Sequence, residues 1–433
     1  MVAAAAVAAA ARLWGLGTPA AMVFDEVYYV PAARQVLAGR EVTEERTHPP
    51  LSKLIVAASI RLAGDRPAGW RLASAVAGVL LVAVVYAFAR ALYADPFVAA
   101  ASALLVALDG LVFVESRIAK PDVFLALFVV TAYWAFWQYL QPGTVRGEGR
   151  AGAVPGGDRD AAAPSPAGAP APGARARALR SGSRLWLGAA GVAAGCAVAT
   201  KWTAVPPLLG LAVVFALARG RAALAAARAD AWALVVALGL VPAGIYLLTY
   251  TPHLRVGHTL GEVLAWQRWM FAFHAGLTQG HPYQSAWWSW PLLLRPIWYD
   301  YHEVGPQLAR GVLAIGNPVV WWAGLPAILA VAGAAVRRSV PDAAVLAGFA
   351  CAYGQYAFIP RVLFLYHFLL AVPFLVVAVA RGLGRVRGAA GDGPALLYLV
   401  LAAAWVAAFF PLLTGQPIAM PHFRRLIWFG TWI

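Results

Sequence analysis

Repeated apolar runs, each long enough to cross the roughly 30 Å of hydrocarbon in a bilayer, constrain this chain more than any other feature. They fall at 71–92, 97–114, 121–140, 185–200, 202–218, 230–250, 315–335, 342–359, 361–380 and 394–413, with a short Ala-rich run at 1–16. Hydrocarbon offers no partner to a free backbone N–H or C=O, so each run closes its hydrogen bonds internally as a helix. The expected fold is an all-α polytopic membrane protein with about eleven transmembrane helices. Composition agrees: 62% of the 433 residues are hydrophobic and 12% are charged, where a soluble domain carries about a quarter. Run 1–16 is interrupted by Arg12 and has no basic start, which fits a short first span or a truncated start better than a cleavable signal peptide.

The formal net charge of +15 does not point to nucleic acid, because the arginines punctuate apolar runs instead of clustering on a polar domain. They orient the chain instead. With the N-terminus inside, Arg90, the group from Arg146 to Arg184, Arg219, Arg221, Arg228, Arg337, Arg338, Arg381, Arg385 and Arg387 all fall in cytoplasmic connections. The eight histidines and most carboxylates then fall at the extracytoplasmic ends. Cys196 and Cys351 sit inside apolar runs as small hydrophobes. Residues 142–183 are Pro, Ala, Gly and Arg with few large apolar side chains, which predicts a disordered cytoplasmic loop, either a solvated linker or a contact for anionic lipid.

The first outer segment, 17–70, begins with an acidic dyad, Asp25-Glu26, and closes on Thr47-His48-Pro49-Pro50-Leu51-Ser52-Lys53. Val27, Val30, Ala33 and Leu37, and then Leu51, Leu54, Ile55, Ala58 and Leu62, have helical spacing and predict two amphipathic helices on the membrane surface. Asp25 stands where it either caps the first helix or serves chemistry at head-group depth. A second cluster follows span three: Asp109, Glu115, Ser116, Arg117, Lys120 and Asp122. It forms either an ion-pair network or a seat in which Glu115 and Asp122 orient Arg117 toward an anion. Lys201 and Arg361 occupy outer joints between spans, as snorkelling anchors or as cations for a lipid-borne phosphate. The loop 251–313 carries six tryptophans around His281-Pro282-Tyr283, including Trp288, as an aromatic belt or as a contact for sugar or polyprenyl. No Walker A, Rossmann glycine pattern, HExxH or Cys cluster is present, so nucleotide and zinc chemistry have no support.

Phe24-Asp25-Glu26, the His48-Pro49-Pro50-Leu51 segment, Trp70-Arg71, Glu115-Ser116-Arg117-Ile118-Ala119 ahead of Asp122, Lys201-Trp202 and His281-Pro282-Tyr283 resemble the protein O-mannosyltransferase family over nearly the whole chain. The resemblance implies a GT-C membrane architecture with an amphipathic first outer loop and a donor sugar carried on polyprenyl phosphate. It implies transfer of mannose to Ser or Thr hydroxyls of secreted or membrane proteins at the extracytoplasmic face of the cell membrane, with inversion. Partners implied are the lipid-linked donor, the protein acceptor and the translocation machinery, with no nucleic acid. No cofactor is required beyond that donor, and metal dependence stays open. Asp25 matches the family's catalytic acidic residue, Glu26 its neighbour and Arg117 a basic residue near the donor. Lys120-Pro121 departs from relatives, which often carry apolar residues there, and the soluble insertion of eukaryotic members is missing from the outer loop.

A phosphate-linked sugar already has a good leaving group, so the site needs a base for the attacking hydroxyl and cations for the departing phosphate. Asp25 is the expected base, with Glu26 binding the acceptor or tuning Asp25. Arg117, Lys201 and Arg361 are expected to hold the phosphate. His48, Lys53, Asp122 and Glu115 are expected to shape the donor site, and His281, Tyr283 and Trp288 to meet acceptor or lipid. The alternatives are a lipid-carrier-dependent transferase acting on a lipid or cell-wall glycan, and a secondary transporter. The transporter is disfavoured because the charges gather at helix ends and no repeat is visible.

Overall fold

The computed structural model describes residues 2–141 and 172–433. The helices in chain order are α1 (Val2–Leu13), α2 (Glu26–Leu37), α3 (Leu51–Ala63), α4 (Pro67–Tyr93), α5 (Pro96–Ala107), α6 (Gly110–Glu115), α7 (Asp122–Leu140) and α8 (Pro172–Thr200). They continue with α9 (Val205–Arg219), α10 (Ala223–Ala229), α11 (Ala231–Val235), α12 (Val241–Leu248), α13 (Thr251–Arg255) and α14 (Leu260–Gly276). After a β-hairpin come α15 (Pro318–Val336), α16 (Val340–Gly354), α17 (Val372–Ala390), α18 (Asp392–Thr414) and α19 (Met420–Leu426). Most of the loop expected over 142–183 lies outside the described residues. From Pro172 the backbone is already helical, as the run of Ala, Arg and Leu favours.

Among the described residues six helical stretches are long and apolar enough to span a bilayer, and three further apolar helices are shorter. The runs expected as single spans are broken where backbone chemistry demands it. Run 97–114 divides at Asp109, whose carboxylate accepts the Val112 N–H at 2.9 Å and so starts a new helix, α6. Run 361–380 begins without helix and passes through a 3-10 segment, Leu365–Leu370, before α17. Helix α7 is buried on nearly every face and packs against α4 and α8. The stretch Ala231–Leu248 packs on α8 yet has almost no fully buried residue, as expected of an apolar helix at the rim whose outer surroundings are lipid.

The helical fold expected from the sequence carries one addition, a three-stranded sheet in the order β1-β2-β3. Strands β1 (Ile297–Glu303) and β2 (Leu308–Ala314) form an antiparallel hairpin, and β3 (Ile418–Ala419) pairs with β2. The register slips between Trp298 and Asp300, so Tyr299 bulges out of the ladder. Such bulges re-aim a side chain, and Tyr299 points at the charged centre described below.

Both expected surface helices form, as α2 and α3. In α3 the expected apolar stripe faces outward: Ala58 and Leu62 are exposed, while Ser52, Lys53 and Ser59 are buried with Val56, Ala57 and Ile60. The apolar stripe suits a lipid-facing side, and the polar face turns toward the interior that carries the charges.

Candidate active site

Asp25 directly precedes α2. Its backbone carbonyl accepts the N–H groups of Tyr28 and Tyr29 at 3.0 and 3.1 Å, but its side chain makes no capping bond. Capping therefore does not account for the carboxylate. Phe24, just before it, holds φ at +47°, a left-handed conformation costly for an aromatic residue. That backbone lays the Phe24 ring on Tyr299, with centroids 4.3 Å apart, and sets it edge-on to Tyr366 at 5.7 Å. Asp25 is half-buried. Burial raises its pKa above 3.8, opposed by the charges of Lys120 and Lys201 and reinforced by Asp122 and Glu45.

Four charges from separate elements form a chain beside it. Lys120 Nζ lies 3.1 Å from Glu115 Oε1 and 3.2 Å from Asp122 Oδ2, and Lys201 Nζ lies 3.0 Å from Asp122 Oδ1. The Tyr299 hydroxyl also donates to Glu115 Oε1. Lys120 sits 3.5 Å from the centre of the Tyr366 ring, and Lys201 lies 5.6 Å from it, so one aromatic face serves both ammonium groups. Asp122 opens α7, where the helix dipole favours a carboxylate.

The segment 45–48 is pinned from below. Lys53 Nζ donates to Glu45 Oε2 at 2.5 Å, to the Glu45 carbonyl at 3.0 Å and to the His48 carbonyl at 2.7 Å. Glu45 Oε1 accepts the N–H groups of Thr47 and His48. Lys53 is thus spent on the loop and leaves no ammonium for a phosphate. It presents His48, whose ring stacks on His274 at 5.0 Å. His274 Nδ1 faces Arg361 Nη1, and its Nε2 lies 2.8 Å from the Thr47 carbonyl. Because a guanidinium only donates, Nδ1 accepts and Nε2 carries the proton, so His274 is neutral. Burial and the adjacent Arg361 hold its pKa down to about 4. His48 is held well below 6.5 by burial first and then by the positive charges around it, Lys201 foremost, with Lys53 and Arg361. Cationic potential therefore dominates this corner.

That corner is the polar head of a cavity of about 1030 Å³, lined by His48, Lys201, His274, Arg361 and His367 at one end. Its walls are apolar, with Val205, Leu247, Leu264, Phe271 and Phe358 among them. A second cavity of about 670 Å³ runs along Leu277–Gly280, Gln284 and Ser285 and shares Arg361 and Leu363 with the first. No group of three His, Cys, Asp or Glu side chains among the described residues is placed to hold a metal ion.

Two expectations need correction. Arg117 is not free to meet an anion: its Nη1 donates to the carbonyls of Ala11, Arg12 and Trp14 and its Nη2 to that of Gly15. These are the acceptors that the C-terminal end of α1 leaves without partners, and a guanidinium fork is suited to collect them. Lys120 takes the place between Glu115 and Asp122 that Arg117 was expected to fill. Glu26, in turn, has no oxygen to offer an acceptor. It is fully buried, pairs in bidentate fashion with Arg71 at 2.8 and 2.7 Å, and accepts the N–H groups of Val23 and Ala119. Glu26 is a strut that ties the start of α2 to α4 and to the 116–121 turn.

In the outer loop, His281 meets Phe364 edge-on at 5.1 Å, and Phe364 stacks on Tyr366 at 5.5 Å, so an aromatic ladder links His281 to the lysines. Tyr283 lies at the edge of this group beneath Arg295. Trp288 is 57% exposed and stands apart from the charged centre. Glu45, Lys120, His274, Tyr299, Tyr366 and His367 join the site without having been singled out for it. Only Lys120 carried a signal, as a charge within the 109–122 cluster.

Comparison with known proteins agrees with this geometry. Family models described as dolichyl-phosphate-mannose-protein mannosyltransferase match residues 47–156 and 173–257, and one described as the C-terminal four-span region of protein O-mannosyltransferase matches 259–432. The polyprenol-phosphate-mannose–protein mannosyltransferase of Mycobacterium tuberculosis is 31% identical over 96% of this chain and 87% of its own. The chain belongs to the protein mannosyltransferase family. The counterpart of this mannosyltransferase from Corynebacterium glutamicum is 26% identical over 96% of this chain and 88% of its own. Its fold is also that of the Saccharomyces cerevisiae protein O-mannosyltransferase Pmt1–Pmt2 complex bound to the sugar donor, with a TM-score of 0.80, 15% identity, and 100% and 92% of the two chains covered. ArnT of Cupriavidus metallidurans bound to undecaprenyl phosphate shares the fold more loosely, with a TM-score of 0.61, 19% identity, and 94% and 64% covered.

Proposed function

We propose that this protein transfers mannose from polyprenyl-phosphate-mannose to Ser or Thr hydroxyls of secreted or membrane proteins, inverting the anomeric carbon. One observation carries the reading: the half-buried Asp25 feels the charges of Lys120 and Lys201, and Lys201 with Arg361 lines an apolar-walled cavity. The walls suit the isoprenoid chain and the cations suit its phosphate. The acceptor hydroxyl attacks the anomeric carbon as the bond to the phosphate oxygen breaks. Asp25 takes the hydroxyl proton, and Lys201 and Arg361 receive the phosphate with its new charge. A carboxylate whose pKa is raised by burial is the stronger proton acceptor. The second cavity, lined by Thr278, Gln279, Gln284 and Ser285 and meeting the first at Arg361, suits the acceptor polypeptide.

Orientation follows from helix ends. Arg71 near the start of α4, Asp122 at the start of α7 and Lys201 just past the end of α8 mark the site side. Arg90 near the end of α4, Arg219 at the end of α9 and Arg387 in the last turn of α17 mark the opposite side. Basic helix ends stay in the cytoplasm, so the site faces the extracytoplasmic leaflet of the cell membrane.

The test is transfer of label from radiolabelled polyprenyl-phosphate-mannose to a Ser/Thr peptide by the purified protein in lipid vesicles. Label is expected in the peptide and not in its Ala-substituted counterpart. Label that stays on lipid, or passes to a lipid acceptor, rejects the reading and favours the lipid-modifying alternative. In the same assay Arg361→Ala is expected to lower kcat/KM for the donor by about ten- to hundredfold, the worth of a charge-assisted hydrogen bond. Arg361→Lys should fall between, since it keeps the charge and loses the fork.

A further inference from the structure

Tyr29 lies one helical turn beyond Asp25, with its N–H on the Asp25 carbonyl at 3.1 Å, so the two side chains leave the same face of α2. It is 2% exposed, and its hydroxyl has no hydrogen-bond partner among the described residues. Other enclosed tyrosines in this protein do find one: Tyr133 donates to the Pro207 carbonyl at 2.7 Å and Tyr299 to Glu115. A buried hydroxyl left unmade is costly, and this one sits at the centre of the chemistry. The charged and titratable groups around it are Glu45, Asp25, Asp122 and Tyr366.

Two more buried polar atoms make no hydrogen bond, Asp122 Oδ2 and Glu115 Oε2; Asp122 is among the charges that reach Tyr29, and Lys120 lies 3.2 Å from its Oδ2. The unmet group is thus one hydroxyl, able to give and to take, together with two carboxylate oxygens that only take. A phosphate cannot satisfy carboxylates, and its cations stand at the cavity head. A polyol satisfies both kinds of atom, because each sugar hydroxyl is donor and acceptor at once.

We propose that the Tyr29 hydroxyl, with Asp122 Oδ2 beside it, hydrogen-bonds hydroxyl groups of the transferred hexose and so reads the sugar of the donor. The proposal rests on the mannosyl-transfer reading above and adds to it the residue that selects the sugar. Tyr29 makes this contact from the helix that presents Asp25, so binding of the correct hexose also registers the anomeric carbon against the base.

The test pairs a variant with a substrate series: wild type and Tyr29→Phe, each in vesicles, with polyprenyl-phosphate-mannose and with its 2-, 3-, 4- and 6-deoxy analogues. Tyr29→Phe is expected to lower kcat/KM for the parent donor by about tenfold or more, the discrimination a hydrogen-bonding site exerts against a missing hydroxyl. One deoxy donor should suffer that loss with wild type and no further loss with Tyr29→Phe, because the partner is already gone. Penalties that multiply for every deoxy donor overturn the proposal. An unchanged rate for Tyr29→Phe does too. So does a loss accompanied by a displaced acid limb of the pH profile with every deoxy penalty intact, since Tyr29 would then act through Asp25. Wild-type transfer of mannose in the same vesicles keeps the two questions apart: its absence rejects the parent reading, and its presence with any of the three results above rejects this inference alone.

Discussion

Asp25→Asn is expected to remove most transfer, by a factor on the order of 10² to 10⁴, the usual contribution of a positioned general base. The substitution is nearly isosteric, and the carboxylate it removes makes no capping bond, so insertion and folding should survive. Stability should in fact rise at neutral pH. Burial raises the folded pKa of Asp25 above 3.8, so the folded state holds this proton more tightly than the unfolded chain does. Such a group favours the fold at low pH, and that contribution is lost as pH climbs through the folded pKa. Removing the charge therefore yields a protein that is at least as resistant to thermal unfolding in detergent and is inactive. The same sign governs the rate. Wild-type transfer should fall as pH drops through the raised pKa, at a higher pH than an ordinary carboxylate near 4 would give. Wild-type rates from Asp25→Asn, or an acid limb that persists in its residual activity, would remove Asp25 from the chemistry.

Arg71→Ala has the largest expected effect on stability. Arg71 is fully buried, and beyond its two bonds to Glu26 it donates to the carbonyls of Leu16, Pro19 and Ala21. Its removal leaves a buried carboxylate facing a void, at a cost of about 3–5 kcal/mol, and releases the segment that carries Phe24 and Asp25. Loss of folded protein on extraction, measured by thermal unfolding in detergent, is the expected result. Lysine should not rescue it, since one ammonium cannot reach both the carboxylate and the three carbonyls. Adding Glu26→Gln to Arg71→Ala should recover part of the loss by removing the stranded charge. A double variant no better than the single one would show that the carbonyl contacts, not the ion pair, carry the stability.

These two acidic neighbours show how far the site was legible. Asp25 and Glu26 look alike in sequence, yet one is half-buried within the field of two lysines with no capping bond and the other is saturated by an arginine 45 residues away. Arg117 and Lys120 make the same point. Both stand between Glu115 and Asp122, and the turn at 116–121 alone decides that the ammonium enters the carboxylate cluster while the guanidinium turns back to close α1. Lys201 and Arg361 were legible because each breaks an apolar run at a joint, where a charge has few other uses. His274, Tyr299 and Tyr366 were not. Each sits in a loop or helix rich in aromatics for plain interfacial reasons, and only the bulge in β1 and the stack onto His48 separate them from their neighbours.

Membrane residence and the alternation of basic helix ends were determined by the sequence alone. Transfer of a helix into hydrocarbon is a sum over its residues, and that sum needs no knowledge of what the helix packs against. The pairing of the charges was decided by the tertiary structure. A buried ion pair depends on distances of a few ångströms between elements far apart in the chain, set by turns such as 116–121 and by the strained backbone at Phe24. The same inventory of acids and bases would serve as struts or as a catalytic centre according to that geometry.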